Sequence, residues 1–249
     1  MPLLADLIDL PALSLVSLVG AGGKTTTMYT LAHELAHSGR RVVTTTTTQM
    51  FAPTLDETEK LIVEVEQVAL LNRVKTAWEF HRHITVASGV DHRGKLMSLA
   101  SAMPALMIQE GGADAVLVEA DGARHRMIKA PAEREPVVPP ETNVALLLMS
   151  AQAIHHPLSE EIAHRPERVA AVTGILMGDV MTPDVIARLM TSEQGALKAI
   201  PESAQAYLLI THATQERREG VLELAQRVRV SGRISSVLYS GEVGTWFRE

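Results

Sequence analysis

Two stretches of this chain carry residue types in an order that suits phosphate chemistry. The first is Gly20-Ala21-Gly22-Gly23-Lys24-Thr25-Thr26. Glycines let successive backbone amides turn toward one point, and a helix starting just after them adds its partial positive charge. At such a loop Lys24 would reach terminal phosphates and the Thr25 hydroxyl would ligate Mg2+. The second is Val116-Leu117-Val118-Glu119-Ala120-Asp121-Gly122, an apolar run that ends in acids. Glu119 stands where a strand-end carboxylate would serve a bound nucleotide's metal, and Glu119-x-x-Gly122 has the spacing of a turn that senses a terminal phosphate. Asp121 is expected to hold a metal-bound water or to orient the attacking nucleophile. Together they predict a magnesium–nucleotide site.

Other residues are candidates by position. Thr46 and Thr47 close a β-rich run, and open α/β sheets bind ligands at such C-terminal strand ends. Thr46 therefore joins Thr25, Glu119 and Asp121 as a candidate metal ligand. Arg124, Arg126 and Lys129 follow the acids on a proline-rich loop, where they would clamp an anionic substrate or neutralise a transferring phosphate. Solvated loop charge is the alternative. His33-Glu34-Leu35-Ala36-His37 spells the zinc pattern H-E-x-x-H. That helix already serves the glycine loop, and 10 histidines in 249 residues make a chance match ordinary, so both are read as exposed. His155, His156 and His164 are read as surface or packing residues.

The elements needed to position these groups follow from periodicity. Leu15 to Val19 is a short β-rich run before the glycines, and Lys24 to Ser38 has helical spacing in Met28, Leu31 and Leu35, stopped by Gly39. Strands are predicted at Arg41 to Thr47, Leu61 to Val65, His83 to Ala87, Ala115 to Val118, Val144 to Met149, Tyr207 to Ile210 and Ile234 to Leu238. Helices are predicted at about Glu66 to Phe80, with Val68, Leu71, Val74 and Trp78 inward, and at Met103 to Glu110. Three more fall at Pro166 to Val172, at Pro183 to Met190 behind the Thr182 cap, and near Gln215 to Arg227. Ala120 to Pro140 reads as an irregular connection, and one that long tends to be functional. Strands alternating with helices in this way predict an α/β fold with a doubly wound, mostly parallel sheet. No linker marks a boundary near residue 150, so residues 1–249 are read as one domain.

Composition narrows the class. The chain has 23 Lys+Arg against 29 Asp+Glu, a net charge of -6, so a bulk basic field for nucleic acid is not expected. No apolar run approaches the ~18 residues of a membrane span, and no membrane partner is expected. The N-terminus MPLLADLIDLP lacks the basic residues of a secretory signal, and Cys 0 excludes disulfides and thiolate chemistry, which fits a cytoplasmic location.

The glycine loop departs from G-x-x-x-x-G-K-[ST], whose first glycine would fall on Leu18; the shorter G-x-x-G-K-T-T is similar to the P-loop of the Mur ligases and folylpolyglutamate synthases. GAGGKTT, VVTTTTTQMFAP, VLVEADGARHRMIKAP and AHRPE together resemble the YqeC family, as do TGILMGDVMTPDVIARLM and GALKAIPESA. The resemblance covers most of the chain and implies a P-loop NTPase-like fold. It also implies a part in cofactor maturation for a selenium-dependent molybdenum hydroxylase, which would be the client. It carries Lys24, Thr25, Glu119 and Asp121 into the site, with Lys129 from the LKAP segment and Arg165 from HRPE as further catalytic candidates. Thr211-His212-Ala213-Thr214 offers no aspartate to a guanine ring, so ATP is expected over GTP, with Mg2+. The expected function is ATP hydrolysis or phosphoryl transfer, with a Mur-like amide ligase and a nucleotide-gated delivery protein as alternatives.

Overall fold

The computed structural model describes residues 2–241 and 245–249. In chain order the elements are α1 (Leu4–Leu7), β1 (Ser14–Gly20), α2 (Lys24–His37), β2 (Val42–Thr46), β3 (Gln49–Phe51), β4 (Lys60–Val63), α3 (Gln67–Ala77), β5 (His83–Ala87), β6 (Lys95–Met97), α4 (Met103–Gln109) and β7 (Ala115–Glu119). The second half holds β8 (Ile128–Lys129), β9 (Val144–Ser150), β10 (Ala163–His164), α5 (Pro166–Thr173), α6 (Pro183–Met190), β11 (Gln205–Thr211), α7 (Arg218–Arg229), β12 (Ile234–Tyr239) and β13 (Phe247–Arg248). Nine strands form one sheet in the order β13-β12-β11-β9-β1-β7-β2-β5-β4. All its pairs are parallel except β12 with the edge strand β13.

Side-chain alternation explains why helices cover both faces. Val16, Leu18, Leu117, Leu146 and Leu148 point toward α2, whose Met28, Leu31, Ala32 and Leu35 meet them. Their neighbours Leu15, Val43, Val116 and Val118 pack on the other face with Leu70 and Val74 of α3 and Met103 and Met107 of α4. Ala145, Leu147, Leu208 and Ile210 do the same with α6 and α7. Central parallel strands buried on two faces tend to be apolar along their length, as Val144 to Met149 of β9 are. The sheet is doubly wound, and residues on either side of position 150 belong to it alike.

Two expectations are corrected. Val68 is 62% exposed and Leu70 takes the inward place, because the Glu66 carboxylate accepts from the amides of Val68 and Ala69 and so sets where α3 begins. The connection after Ala120 is not wholly irregular: β8 pairs with β10 beside the main sheet. Among the described residues no helix is long and apolar enough to cross a membrane.

The glycine loop is pressed against β9. A Cβ on Gly20, at φ +102, would lie 2.2 Å from the Leu148 carbonyl oxygen, and one on Gly22, at φ +78, 2.5 Å from the Ser150 nitrogen. Gly39 also has positive φ but nothing within 4 Å of a Cβ. Gly20→Ala is therefore expected to lose about 3 kcal/mol or more in urea unfolding, and Gly39→Ala only about 1 kcal/mol. Equal losses would contradict the close approach.

Candidate functional site

The C-terminal ends of five sheet strands open into one cavity of about 1040 Å3. Its walls include Gly22 to Thr26 after β1, Thr48 and Gln49 after β2, Glu119 of β7, Ser150 of β9 and His212 after β11. Ala21 donates its amide to the Leu148 carbonyl and Gly22 to that of Arg126, which fixes the loop. Gly23, at φ 115, caps α2 through backbone only, and among the described residues no side-chain cap is seen at this N-terminus. Uncapped amides at a helix N-terminus form a site for phosphate oxygens.

Thr25 Oγ1 donates to Glu119 Oε2 at 2.7 Å, which joins the two predicted stretches. Burial pushes the Glu119 carboxyl above its ordinary range, opposed by the Lys24 charge and the Thr25 hydroxyl. Lys24 is 5% exposed, and its Nζ donates to the Gly20 carbonyl at 2.7 Å and pairs with Asp121 at 3.2 Å.

Asp121 does not face the cavity, contrary to expectation. The chain turns it behind the loop, where it accepts from the Gly20 amide at 3.1 Å and pairs with Lys129 at 2.9 Å. Lys129 is also held away from the cavity: its ammonium is shared among Asp121, Glu135 and the Gly122 carbonyl. Arg165 does line the cavity, at φ 61, with its guanidinium forked onto both oxygens of Glu135 at 2.8 Å. Burial alone would raise Glu135, but the Arg165 hydrogen bonds and the Lys129 charge outweigh it and hold this carboxyl at about 2.

The threonine run serves the sheet. Thr44 meets His83 and Thr85, Thr45 donates to the Val86 carbonyl, and Thr47 to that of Val137. Thr46 donates to the Glu119 carbonyl at 2.8 Å, so the cavity receives Thr48 instead. His33 packs edge-on against His83, His37 is exposed, and Glu34 accepts from the Ala5 amide. Among the described residues no three His, Cys, Asp or Glu are grouped to hold a metal ion. His155 and His156 are exposed, while His164 lines the cavity, where burial and the Arg165 charge lower it to about 4 and keep it neutral at neutral pH.

The cavity is cationic although the chain is acidic. Lys24, Arg93, Lys95, Arg124, Arg126 and Arg165 line it, against Glu119 and Glu135. Among the described residues Arg93, Arg124 and Arg126 form no salt bridge, although Asp91 offsets part of the Arg93 charge at longer range. Cations around a concave site concentrate anions in it. Of this wall, sequence reading missed Thr48, Gln49, Phe51, Arg93, Lys95, Glu135 and His212. Thr48, Gln49 and Phe51 lie within VVTTTTTQMFAP and Glu135 within the proline-rich connection, but nothing in those stretches singles these residues out as site residues.

A family model described as YqeC protein matches residues 16–167. "Uncharacterized protein YqeC" of Escherichia coli (strain K12) is 31% identical over 206 residues, covering 81% of this chain and 77% of that protein. The chain belongs to the YqeC family. Among solved structures it is similar to Signal Recognition Particle 54 kDa protein from Aeropyrum pernix K1 in complex with GDP, at 14% identity and a TM-score of 0.43. That match covers 96% of this chain, which spans under half (44%) of the other. FlhF complexed with GMPPNP/Mg(2+) matches at 12% identity and a TM-score of 0.42, over 96% of this chain and 71% of that one. FlhF complexed with GTP/Mg(2+) matches at 12% identity and a TM-score of 0.41, over 95% and 69%. The expected preference for ATP over GTP is not borne out: the nucleotides named in these three structures are all guanine nucleotides, in proteins to which the likeness is one of fold alone. That expectation rested on a window without aspartate, Thr211 to Thr214. In the fold this window is one wall of a hollow that Ser240, Gly241 and Trp246 also line, so it does not decide the base alone.

Two measurements follow from the charge chain. Glu135 falls from 4.5 to about 2 on folding, so its stabilisation is complete above pH 4.5 and is lost as pH falls toward 2. Stability measured by denaturant across that window should fall with acid in the parent, and Glu135→Gln should lack that part of the slope. Asp121→Asn leaves two buried ammonium groups without their shared charge and should lose about 3 kcal/mol at neutral pH. Parental stability in that variant would refute the buried pairing.

Proposed function

We propose that this YqeC-family chain binds a magnesium nucleoside triphosphate in the cavity, with GTP as the nucleotide, and cleaves or transfers its terminal phosphate. One observation carries the reading: a glycine loop aims uncapped helix amides into a cavity lined by six cations. Phosphate is the common group that needs both backbone donors and that much positive charge.

The residues divide the work. The amides of Lys24, Thr25 and Thr26 would receive phosphate oxygens. Lys24 would exchange the Gly20 carbonyl and Asp121 for the terminal phosphates; Asp121 then keeps Lys129 and the Gly20 amide, so Lys24 leaves no bare carboxylate behind. Asp121 and Lys129 are therefore positioning residues in this reading. Arg126 would neutralise charge on the phosphate being transferred, and Arg165 is held in place for the same task by Glu135. Thr25 and Glu119 offer two hard oxygen donors 2.7 Å apart, which suits Mg2+. Bound there, Mg2+ would offset phosphate charge.

The client is a separate part of the proposal. Service to a selenium-dependent molybdenum hydroxylase rests on the family resemblance alone, and pull-down with that client in the presence and absence of Mg–GTP tests it. Nucleotide-gated delivery gains support from one fact: the acid expected to activate the nucleophile, Asp121, is buried behind the loop.

Lys24→Ala should weaken Mg–GTP binding by about tenfold to a hundredfold in calorimetric titration, the loss of one or more charge-assisted contacts. Equal affinities in parent and variant would sink the phosphate-cradle reading.

A further inference from the structure

The cavity has a second end that a triphosphate on the glycine loop does not use. Strand order separates the two ends. β1 carries the loop; β9, β11 and β12 lie on one side of it, and β7 and β2 on the other. The small hollow of Thr211, Ser240 and Trp246 is on the β11–β12 side and also touches Gly23, Thr26 and Thr30, so it adjoins the loop where a nucleoside would leave it. Glu119, and beyond it Thr48, Gln49 and Phe51, lie on the β7–β2 side. A nucleotide with its nucleoside toward β11 directs its terminal phosphate toward this other lobe.

The lobe is built by a two-stranded ribbon and one loop. In the ribbon Phe51 of β3 is the register partner of Lys95 of β6. Met50 and Leu96, buried in the core beneath, anchor it and turn Phe51 outward at 56% exposure. The Lys95 ammonium lies 4.6 Å from the Phe51 ring centroid. The loop brings His125, whose ring stacks with Phe51 at 6.1 Å and 26°. Arg124 and His125 both have positive φ, 49 and 58, a backbone that non-glycine residues rarely adopt and that holds this pair toward the cavity.

The chemistry of these groups is specific. Two stacked rings form an aromatic wall, and Arg93, Lys95 and Arg124 stand around it. The nearby acid Asp91 accepts from the amides of Arg93 and Lys95 and offsets part of the Arg93 charge, while Glu119 is hydrogen-bonded to Thr25 and Glu135 is paired with Arg165. Three cations beside one aromatic wall suit a dianion attached to a planar ring. We propose that this lobe is a second-substrate subsite and that it takes a phosphorylated planar heterocycle. The part of that statement that makes the ligand a second substrate rests on the nucleotide reading above.

Flavin mononucleotide, a fluorescent phosphorylated heterocycle, is the probe. Titrated with the full chain, it should be quenched saturably, with the same affinity when Mg–GMPPNP occupies the glycine loop. Phe51→Ala, a change at an exposed side chain, should weaken it by about tenfold or more. The Arg93→Ala, Arg124→Ala double variant should bring its affinity down to that of riboflavin, which has the ring and no phosphate. Thermal melting of each variant checks the fold. Displacement by Mg–GMPPNP, undiminished binding in Phe51→Ala, or no saturable quenching up to about 1 mM would overturn the proposal. If Mg–GMPPNP fails to bind while flavin mononucleotide binds through Phe51, the nucleotide reading falls and the subsite stands.

Discussion

Asp121 is the constraint on which the rest of the site depends. Its carboxylate is 2% exposed, and it meets the Lys24 ammonium, the Lys129 ammonium and the Gly20 amide at once. A buried carboxylate is stable only when its lone pairs are filled by donors of matching charge. The filling groups come from different elements, so satisfying Asp121 fixes the end of β1, the start of α2 and the connection after β7 relative to one another. Through Lys129 the chain of charges continues to Glu135 and from there to Arg165 at the cavity wall. Five side chains of alternating sign thus link the back of the glycine loop to the front of the cavity.

That arrangement leaves the cavity itself under-neutralised. Of the acids at the cavity, Glu135 is paired with Arg165 and Glu119 is hydrogen-bonded to Thr25, while Arg124 and Arg126 form no salt bridge among the described residues. Keeping like charges close is unfavourable without an anion among them. In a protein of net charge -6, a hollow lined by six of the 23 Lys and Arg residues suits an anionic ligand, as the proposed function requires.

The glycine loop was legible in the sequence because all its parts are contiguous. The order glycine, lysine, threonine between an apolar run and a helical run states the geometry directly, and β1 and α2 fall on those runs. The doubly wound sheet was legible because buried parallel strands are apolar on both faces. The short strands β3, β6, β8 and β10 were not, since two or three residues carry no period. Phe51 and Lys95 escaped for the same reason: only the ribbon's register brings them together. The partners Glu135 and Arg165 are 30 positions apart and become neighbours through an irregular connection. Asp121 and Thr46 were named as candidates but assigned the wrong direction. The spacing of Asp121 to Glu119 and the strand-end position of Thr46 give their place along the chain; what decides the direction of each is the partner that receives it, Lys129 for one and the Glu119 carbonyl for the other.

In the proposed function Lys24 rests against Asp121 and moves to phosphate when nucleotide binds. A crystal structure of the full chain with Mg–GMPPNP reads this movement out. Phosphate oxygens are expected on the amides of Lys24, Thr25 and Thr26, with the Lys24 ammonium within hydrogen-bond reach of a phosphate and Asp121 retained by Lys129 and the Gly20 amide. A nucleotide bound elsewhere, with Lys24 still on Asp121 and the Gly20 carbonyl, would contradict it.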